Sequence, residues 1–116
     1  MTKVVQLYEQ TETTGKRETI LNAALQLFTE RGFHGTAMPL VAELAGVGAG
    51  TIYRYFESKE ALVNTLYRDW KTFQITTILK DVPPDTPLRE QFRIYWNRLI
   101  KFAADFPTAF GFLELH

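Results

Sequence analysis

Apolar residues recur three and four positions apart in the first part of the chain, which is the spacing of one face of an α-helix. Between Lys16 and Arg31 these apolar residues are Ile20, Ala23, Ala24, Leu27 and Phe28. Gly32 follows, and glycine accepts the left-handed conformation that ends many helices. We therefore predict a first amphipathic helix over this stretch, after a polar tail formed by residues 1–14.

Two short helices are predicted next, separated by a glycine. The first fits Pro39 to Ala45, because proline is well tolerated in the first turn of a helix, and Thr36 is a possible cap nearby. Gly46 ends this helix, and the second short helix fits Ala49 to Phe56.

A longer helix is predicted from Ser58, its cap, to about Lys80. Its expected core face consists of Leu62, Val63, Leu66, Tyr67, Trp70 and Phe73. Three prolines between residues 81 and 87 must break this helix.

The remaining pattern predicts two further helices and no strand. Thr86 and Pro87 are expected to be the cap and first residue of a fifth helix, whose apolar period continues to Asp105. Pro107 breaks that helix and begins a last short one. Because no alternating apolar and polar stretch occurs, we predict an all-α fold.

The composition excludes several classes of protein. It has 116 residues, 46% of them hydrophobic, and no cysteine, which predicts a folded domain without disulfides or thiolate metal sites. No apolar run reaches the length of a membrane span, and the N-terminus lacks the apolar core of a secretory signal. We therefore expect a cytoplasmic protein that does not enter a membrane.

The formal net charge is zero, whereas a strong nonspecific binder of nucleic acid should be basic. Any affinity for DNA must therefore come from a local face, and from two such faces in a dimer.

The two short helices carry the residues that a helix-turn-helix unit requires. Helices that cross steeply need a small residue where their backbones approach, a residue free to take positive φ in the turn, and apolar residues on the facing sides. Ala42 supplies the first and Gly46 the second. Val47 and Ile52 supply apolar packing.

A longer motif surrounds this unit and resembles the TetR (tetracycline-repressor-like) family of regulators. The resemblance covers about residues 16–66. It is carried by Ile20-Leu21, Ala23-Ala24, Leu27-Phe28, Gly32-Phe33, Val41-Ala42, Ala45-Gly46-Val47, Gly50, Ile52-Tyr53, Tyr55-Phe56, Lys59 and Leu62. It implies a three-helix DNA-binding bundle at residues 15–62, followed at 63–116 by a long helix and the start of a helical domain for ligand binding and dimerisation.

The resemblance also implies a function and a set of DNA contacts. The chain would be a repressor that binds double-stranded operator DNA as a homodimer, through helices largely absent from this chain, and is released by a small-molecule effector. Helix 49–56 would lie in the major groove. The residues expected to contact DNA are Thr36, Ala49, Gly50, Thr51, Tyr53, Arg54, Tyr55 and Lys59.

Two positions differ from the residues that are usual in the family. Gly48 stands where serine or threonine often caps the recognition helix, and glycine caps nearly as well. Ala37 stands where a hydroxyl often contacts phosphate, and Pro39 removes another N–H from that end. We therefore expect weaker contacts from the start of the first short helix.

Aromatic residues accumulate in the second half of the chain. In the family, the corresponding helices bind small effectors, so Trp70, Phe92, Trp96 and Phe110 are candidate ligand-binding residues. A stripe at helical spacing is more often part of a core than of a pocket, and both can hold because pockets are lined by core residues. The two histidines, His34 and His116, lie far apart, so we expect no metal and no cofactor.

Two other functions compete with DNA binding. The neutral charge fits a protein-interaction module of helix-turn-helix shape. A small helical enzyme has only the aromatic stripe in its favour, since no acid–base pair, phosphate loop or serine elbow occurs. We therefore expect that the chain is not an enzyme.

Overall fold

The computed structural model describes residues 15–115, and the predicted tail at residues 1–14 and His116 lie outside them. Six helices follow one another in this part of the chain, and no strand occurs in it, which confirms the all-α prediction. They are α1 (Gly15–Arg31), α2 (Met38–Ala45), α3 (Ala49–Tyr55), α4 (Lys59–Leu79), α5 (Leu88–Asp105) and α6 (Pro107–Leu115).

Helix α1 forms the centre of the first half. Its predicted apolar face is buried, with Ile20, Ala24 and Phe28 fully inaccessible to solvent. The face packs against α2, α4 and α6. Gly32 ends α1 with φ 77°, as the sequence predicts, and its amide donates to the carbonyl of Phe28 at 2.8 Å.

Helix α4 links the helix-turn-helix unit to the second half. Ser58 caps it as predicted, since its hydroxyl accepts from the amide of Ala61 at 3.0 Å. Leu62, Leu66 and Trp70 are buried along its inner face. Tyr67 differs from the prediction, because 38% of it is exposed.

Helix α5 begins differently from the prediction. Pro87 occupies the cap position and makes no side-chain cap hydrogen bond. The hydroxyl of Thr86 instead donates to the carbonyl of Pro83 at 2.7 Å, within the turn that precedes the helix. The prediction that Thr86 caps α5 was therefore wrong, because the helix begins one residue later, where the amide of Gln91 donates to the carbonyl of Pro87 at 2.9 Å.

An aromatic cluster joins α4, α5 and α6. Ring centroids of Trp70, Phe73, Phe102 and Phe106 lie 5.2–6.5 Å apart, and every pair is tilted or edge-to-face. Helix α6 returns onto α1 and buries Phe112 completely. The two halves of the described chain therefore share one hydrophobic core.

The six helices of residues 15–115 can be compared with what a membrane span requires. None of the helices formed there combines the length and the apolar character that crossing a bilayer requires.

Candidate nucleic-acid interface

The turn between α2 and α3 has the backbone conformation that the sequence predicts for a helix-turn-helix unit. Gly46 adopts φ 76°, in the left-handed region. Its amide donates to the carbonyl of Glu43 at 3.1 Å, and the amide of Val47 donates to that of Ala42 at 2.9 Å. Ala42 is only 1% exposed, as the close approach of two backbones demands. These bonds fix the direction in which α3 leaves α2.

Helix α3 is held to the protein by one face. Ile52 is fully buried, and Phe56, which directly follows the helix, is 5% exposed. The amide of Phe56 donates to the carbonyl of Ile52 at 3.0 Å. Because these two residues lie four positions apart, they anchor the same side of the helix and leave the other side outside the core.

The outer side of α3 carries most of the residues predicted to contact DNA. Tyr53 and Tyr55 are 48% and 43% exposed. Ala49, Gly50 and Arg54 are also exposed, and Thr51 is half-buried. The structure thus brings these six residues together on one short helix, with two phenols and one guanidinium as hydrogen-bond donors.

Thr36 lies apart from that surface. It is 1% exposed, and its hydroxyl is 2.8 Å from the carbonyl oxygen of Gly32 and 3.2 Å from that of Leu27. The single O–H donor is therefore shared between two carbonyls at the end of α1, and the carbonyl of Gly32 is the nearer. Thr36 also does not cap α2, whose cap position is Ala37. Thr36 is thus buried and bonded within the protein, whereas the sequence predicts a surface contact, so the proposed DNA contacts come from α3 and Lys59.

Lys59 is half-buried and bonded within the protein. Its ammonium donates to the carbonyl of Phe33 at 2.7 Å and to that of Thr36 at 2.9 Å. The same nitrogen lies 4.2 Å from the centroid of the Phe33 ring. Two of the three N–H donors are thus used, and one remains for the phosphate contact that the sequence predicts.

A basic residue outside the predicted set also lies beside α3. The guanidinium carbon of Arg17, at the start of α1, is 5.5 Å from the centroid of the Phe56 ring. The motif that predicts the other contacts does not include Arg17. No local signal could have placed this residue beside Phe56, because the contact joins two segments that are distant in the sequence.

The four residues predicted to bind a ligand lie in three different surroundings. Trp70 is 2% exposed and lines a cavity of about 60 Å³ with Leu25, Phe106, Pro107, Thr108 and Ala109. Phe92 and Trp96 stack on each other on the outer side of α5, where they are 67% and 53% exposed. Phe110 packs against the core.

A larger cavity lies between the end of α4 and the second half of α5. It has a volume of about 330 Å³ and is lined by Thr77, Lys80, Asp81, Arg98, Lys101, Phe102, Asp105 and Phe106. Arg98, one of these lining residues, donates to the carbonyls of Ile78 and Lys80. Across residues 15–115, no cluster of three histidine, aspartate or glutamate side chains is arranged to hold a metal ion.

Known proteins share both the sequence and the fold of this region. The family pattern described as bacterial regulatory proteins, tetR family, matches residues 20–71. The transcriptional regulator RutR of Escherichia coli K12 is 35% identical over 99 residues, which cover 83% of this chain and 45% of RutR.

Solved structures agree with this match. A TetR-family transcription regulator from Shewanella sp. PV-4 superposes with a TM-score of 0.80 at 34% identity, over 87% of this chain and 54% of that one. A TetR-family regulator from Haemophilus influenzae gives 0.74 at 30% identity, over 85% and 55%.

The chain thus spans about half the length of these relatives. The shared part runs from α1 through the helix-turn-helix unit into α4 and continues over the helices that follow. The chain therefore belongs to the TetR family of bacterial regulatory proteins.

Proposed function

We propose that this chain binds operator DNA through α3 and acts as a transcriptional repressor. One observation supports this function above all. Ile52 and Phe56 anchor α3 to the core, while Tyr53, Arg54 and Tyr55 stand on its exposed side. A short helix fixed in this way has the dimensions and the donor groups to enter a major groove.

The contacts divide into two kinds by their chemistry. Arg54 is the proposed base reader, because a guanidinium can donate two hydrogen bonds to one guanine edge. The proposed phosphate contacts are hydrogen bonds donated by the hydroxyls of Tyr53, Tyr55 and Thr51. Such contacts fix the register of the helix on the DNA without specifying sequence. Ala49 and Gly50 are small and exposed, so they would let the helix approach the bases closely.

Lys59 would add one contact from outside α3. Its ammonium keeps one N–H donor beside the two that bind backbone carbonyls, and this donor would reach a phosphate at the edge of the site. Its larger role in the proposal is to hold the start of α4 against the turn between α1 and α2.

Repression would require two copies of the unit. Two recognition helices that read successive major grooves must lie about 34–36 Å apart. We propose that residues 15–62 supply the DNA-binding part and that residues 63–116 contribute to ligand binding and dimerisation. An effector that favours a different spacing of the recognition helices would release the DNA by shifting the population of states.

The experiment is a mobility-shift titration with the DNA upstream of the gene that encodes this chain, in the presence of mixed-sequence competitor. We expect a shifted band that Arg54→Ala abolishes and that Arg31→Ala, on the exposed end of α1, leaves in place. The proposed site does not read DNA if both variants shift the band equally. The same conclusion holds if mixed-sequence competitor removes the band as readily as unlabelled upstream DNA does. If Arg54→Ala instead removed binding to a protein partner and had no effect on DNA binding, an interaction module would be favoured.

A further inference from the structure

The proposed interface has few cations, although phosphate contacts dominate the affinity of most DNA-binding proteins. Helix α3 carries one basic residue, Arg54. Lys59 spends two of its three donors on the carbonyls of Phe33 and Thr36. Glu57, which is exposed directly after α3, adds a repulsive charge. The residues of the family motif therefore supply little positive charge at this surface.

We propose that Arg17 is a phosphate-binding residue of this interface, held in place by the ring of Phe56. The inference rests on the proposed function and names a contact that the family motif does not contain. It follows from one relationship across the fold: the guanidinium of the first turn of α1 lies over the ring of the residue that ends the recognition helix.

The contact fixes the position of Arg17 without using its donors. The guanidinium carbon is 5.5 Å from the ring centroid, within the range of a cation–π interaction. Such a contact consumes none of the five N–H groups of arginine. A guanidinium held in this way loses less side-chain entropy on binding phosphate than a freely moving one.

The neighbouring acid does not neutralise Arg17 by a close bond. Nη1 of Arg17 is 3.7 Å from a carboxylate oxygen of Glu18, which is longer than a hydrogen bond. The side chain of Arg17 is 46% exposed, so solvent and ligand reach it. Phosphate, which accepts two parallel N–H bonds from one guanidinium, is the ligand that this geometry favours.

Arg31 provides a matched control on the same helix. Both arginines are exposed, and they lie at opposite ends of α1, about 21 Å apart along the axis at the ordinary rise of a helix. Arg31 stands in the last turn of α1, whereas the contact with Phe56 is made by the first turn. Replacement of either arginine by glutamine removes the same charge from the protein.

The experiment measures how the binding constant for a mixed-sequence duplex depends on salt, by fluorescence anisotropy. Arg17→Gln is expected to lower the slope of log K against log salt by about 0.9 for each phosphate that Arg17 neutralises in the complex. Arg31→Gln should leave the slope at the wild-type value. Arg17→Lys should restore most of the slope, because it restores the charge. Equal melting temperatures of the variants would show that folding is unchanged.

The inference is overturned if the wild-type chain binds the duplex and Arg17→Gln has the same slope as Arg31→Gln. A wild-type chain that shows no salt-dependent binding contradicts the proposed function instead, so the two failures are distinguishable.

Discussion

The ammonium nitrogen of Lys59 lies 2.7 Å from the carbonyl oxygen of Phe33 and over the ring of the same residue. The side chain thus joins the first turn of α4 to the turn between α1 and α2. Lys59→Met keeps the aliphatic stem and removes both hydrogen bonds to backbone carbonyls. We expect the free energy of unfolding to fall by about 1–3 kcal/mol, as for half-buried bonds to a charged group.

Urea denaturation followed by circular dichroism measures this change in stability. Lys16→Met is the control, because Lys16 is an exposed lysine at the start of α1. Equal midpoints for the two variants would show that the bonds of Lys59 contribute nothing to stability.

The buried hydroxyl of Thr36 leads to a second prediction. Thr36→Val has nearly the same shape but leaves the carbonyls of Leu27 and Gly32 without this donor. The expected loss of stability is about 1–2 kcal/mol, from removal of the one buried O–H donor that these two carbonyls share. Thr72→Val, on the exposed side of α4, should change stability by less than about 0.5 kcal/mol. Urea denaturation compares the two, and a Thr36→Val protein as stable as the control would argue against the buried bonds.

Two glycines of the helix-turn-helix unit should respond to alanine in opposite directions. Gly46 has φ 76°, so alanine there is strained, and we expect a loss of stability of about 1 kcal/mol. A Cβ at Gly50 meets no atom within 4 Å, so alanine should stabilise α3 by up to about 0.5–1 kcal/mol. Thermal unfolding of the two variants side by side tests this, and a stabilising Gly46→Ala would contradict the turn geometry.

Phenylalanines on the two sides of α5 should differ greatly in what they contribute to stability. Phe102 is 2% exposed and packs against Trp70, so Phe102→Ala should cost about 3–5 kcal/mol. Phe92 is 67% exposed, so Phe92→Ala should cost no more than about 1 kcal/mol, mainly from its stacking on Trp96. Chemical denaturation of both variants decides the point. Similar costs would mean that the outer side of α5 is packed rather than exposed.

The parts of the fold that could be predicted from the sequence are those fixed by residues close to one another along the chain. Gly32 and Gly46 end helices because of their own backbone conformation, and Ser58 caps α4 through an amide three positions away. The apolar period of α1 identifies its buried face for the same reason. Local chemistry therefore locates both the starts and the ends of the helices to within a residue or two.

The placement of particular side chains could not be predicted in this way. Thr36 and Lys59 look like polar surface residues, yet the first bonds to carbonyls at the end of α1 and the second to carbonyls of the turn that follows it. Phe92 and Phe102 share the apolar pattern of α5, but only Phe102 is buried against a neighbouring helix. A period shows which residues share a side of a helix, whereas tertiary packing decides which side is covered.

The most direct test of DNA recognition is selection of bound duplexes from a random-sequence library, carried out with the wild-type chain and with Arg54→Ala. We predict enrichment of a short motif of the size that one recognition helix reads in a single major groove. We also predict that Arg54→Ala removes the preference for guanine at one position of this motif. Failure to enrich any sequence, or the same motif at the same strength from both proteins, would contradict the claim that α3 reads DNA.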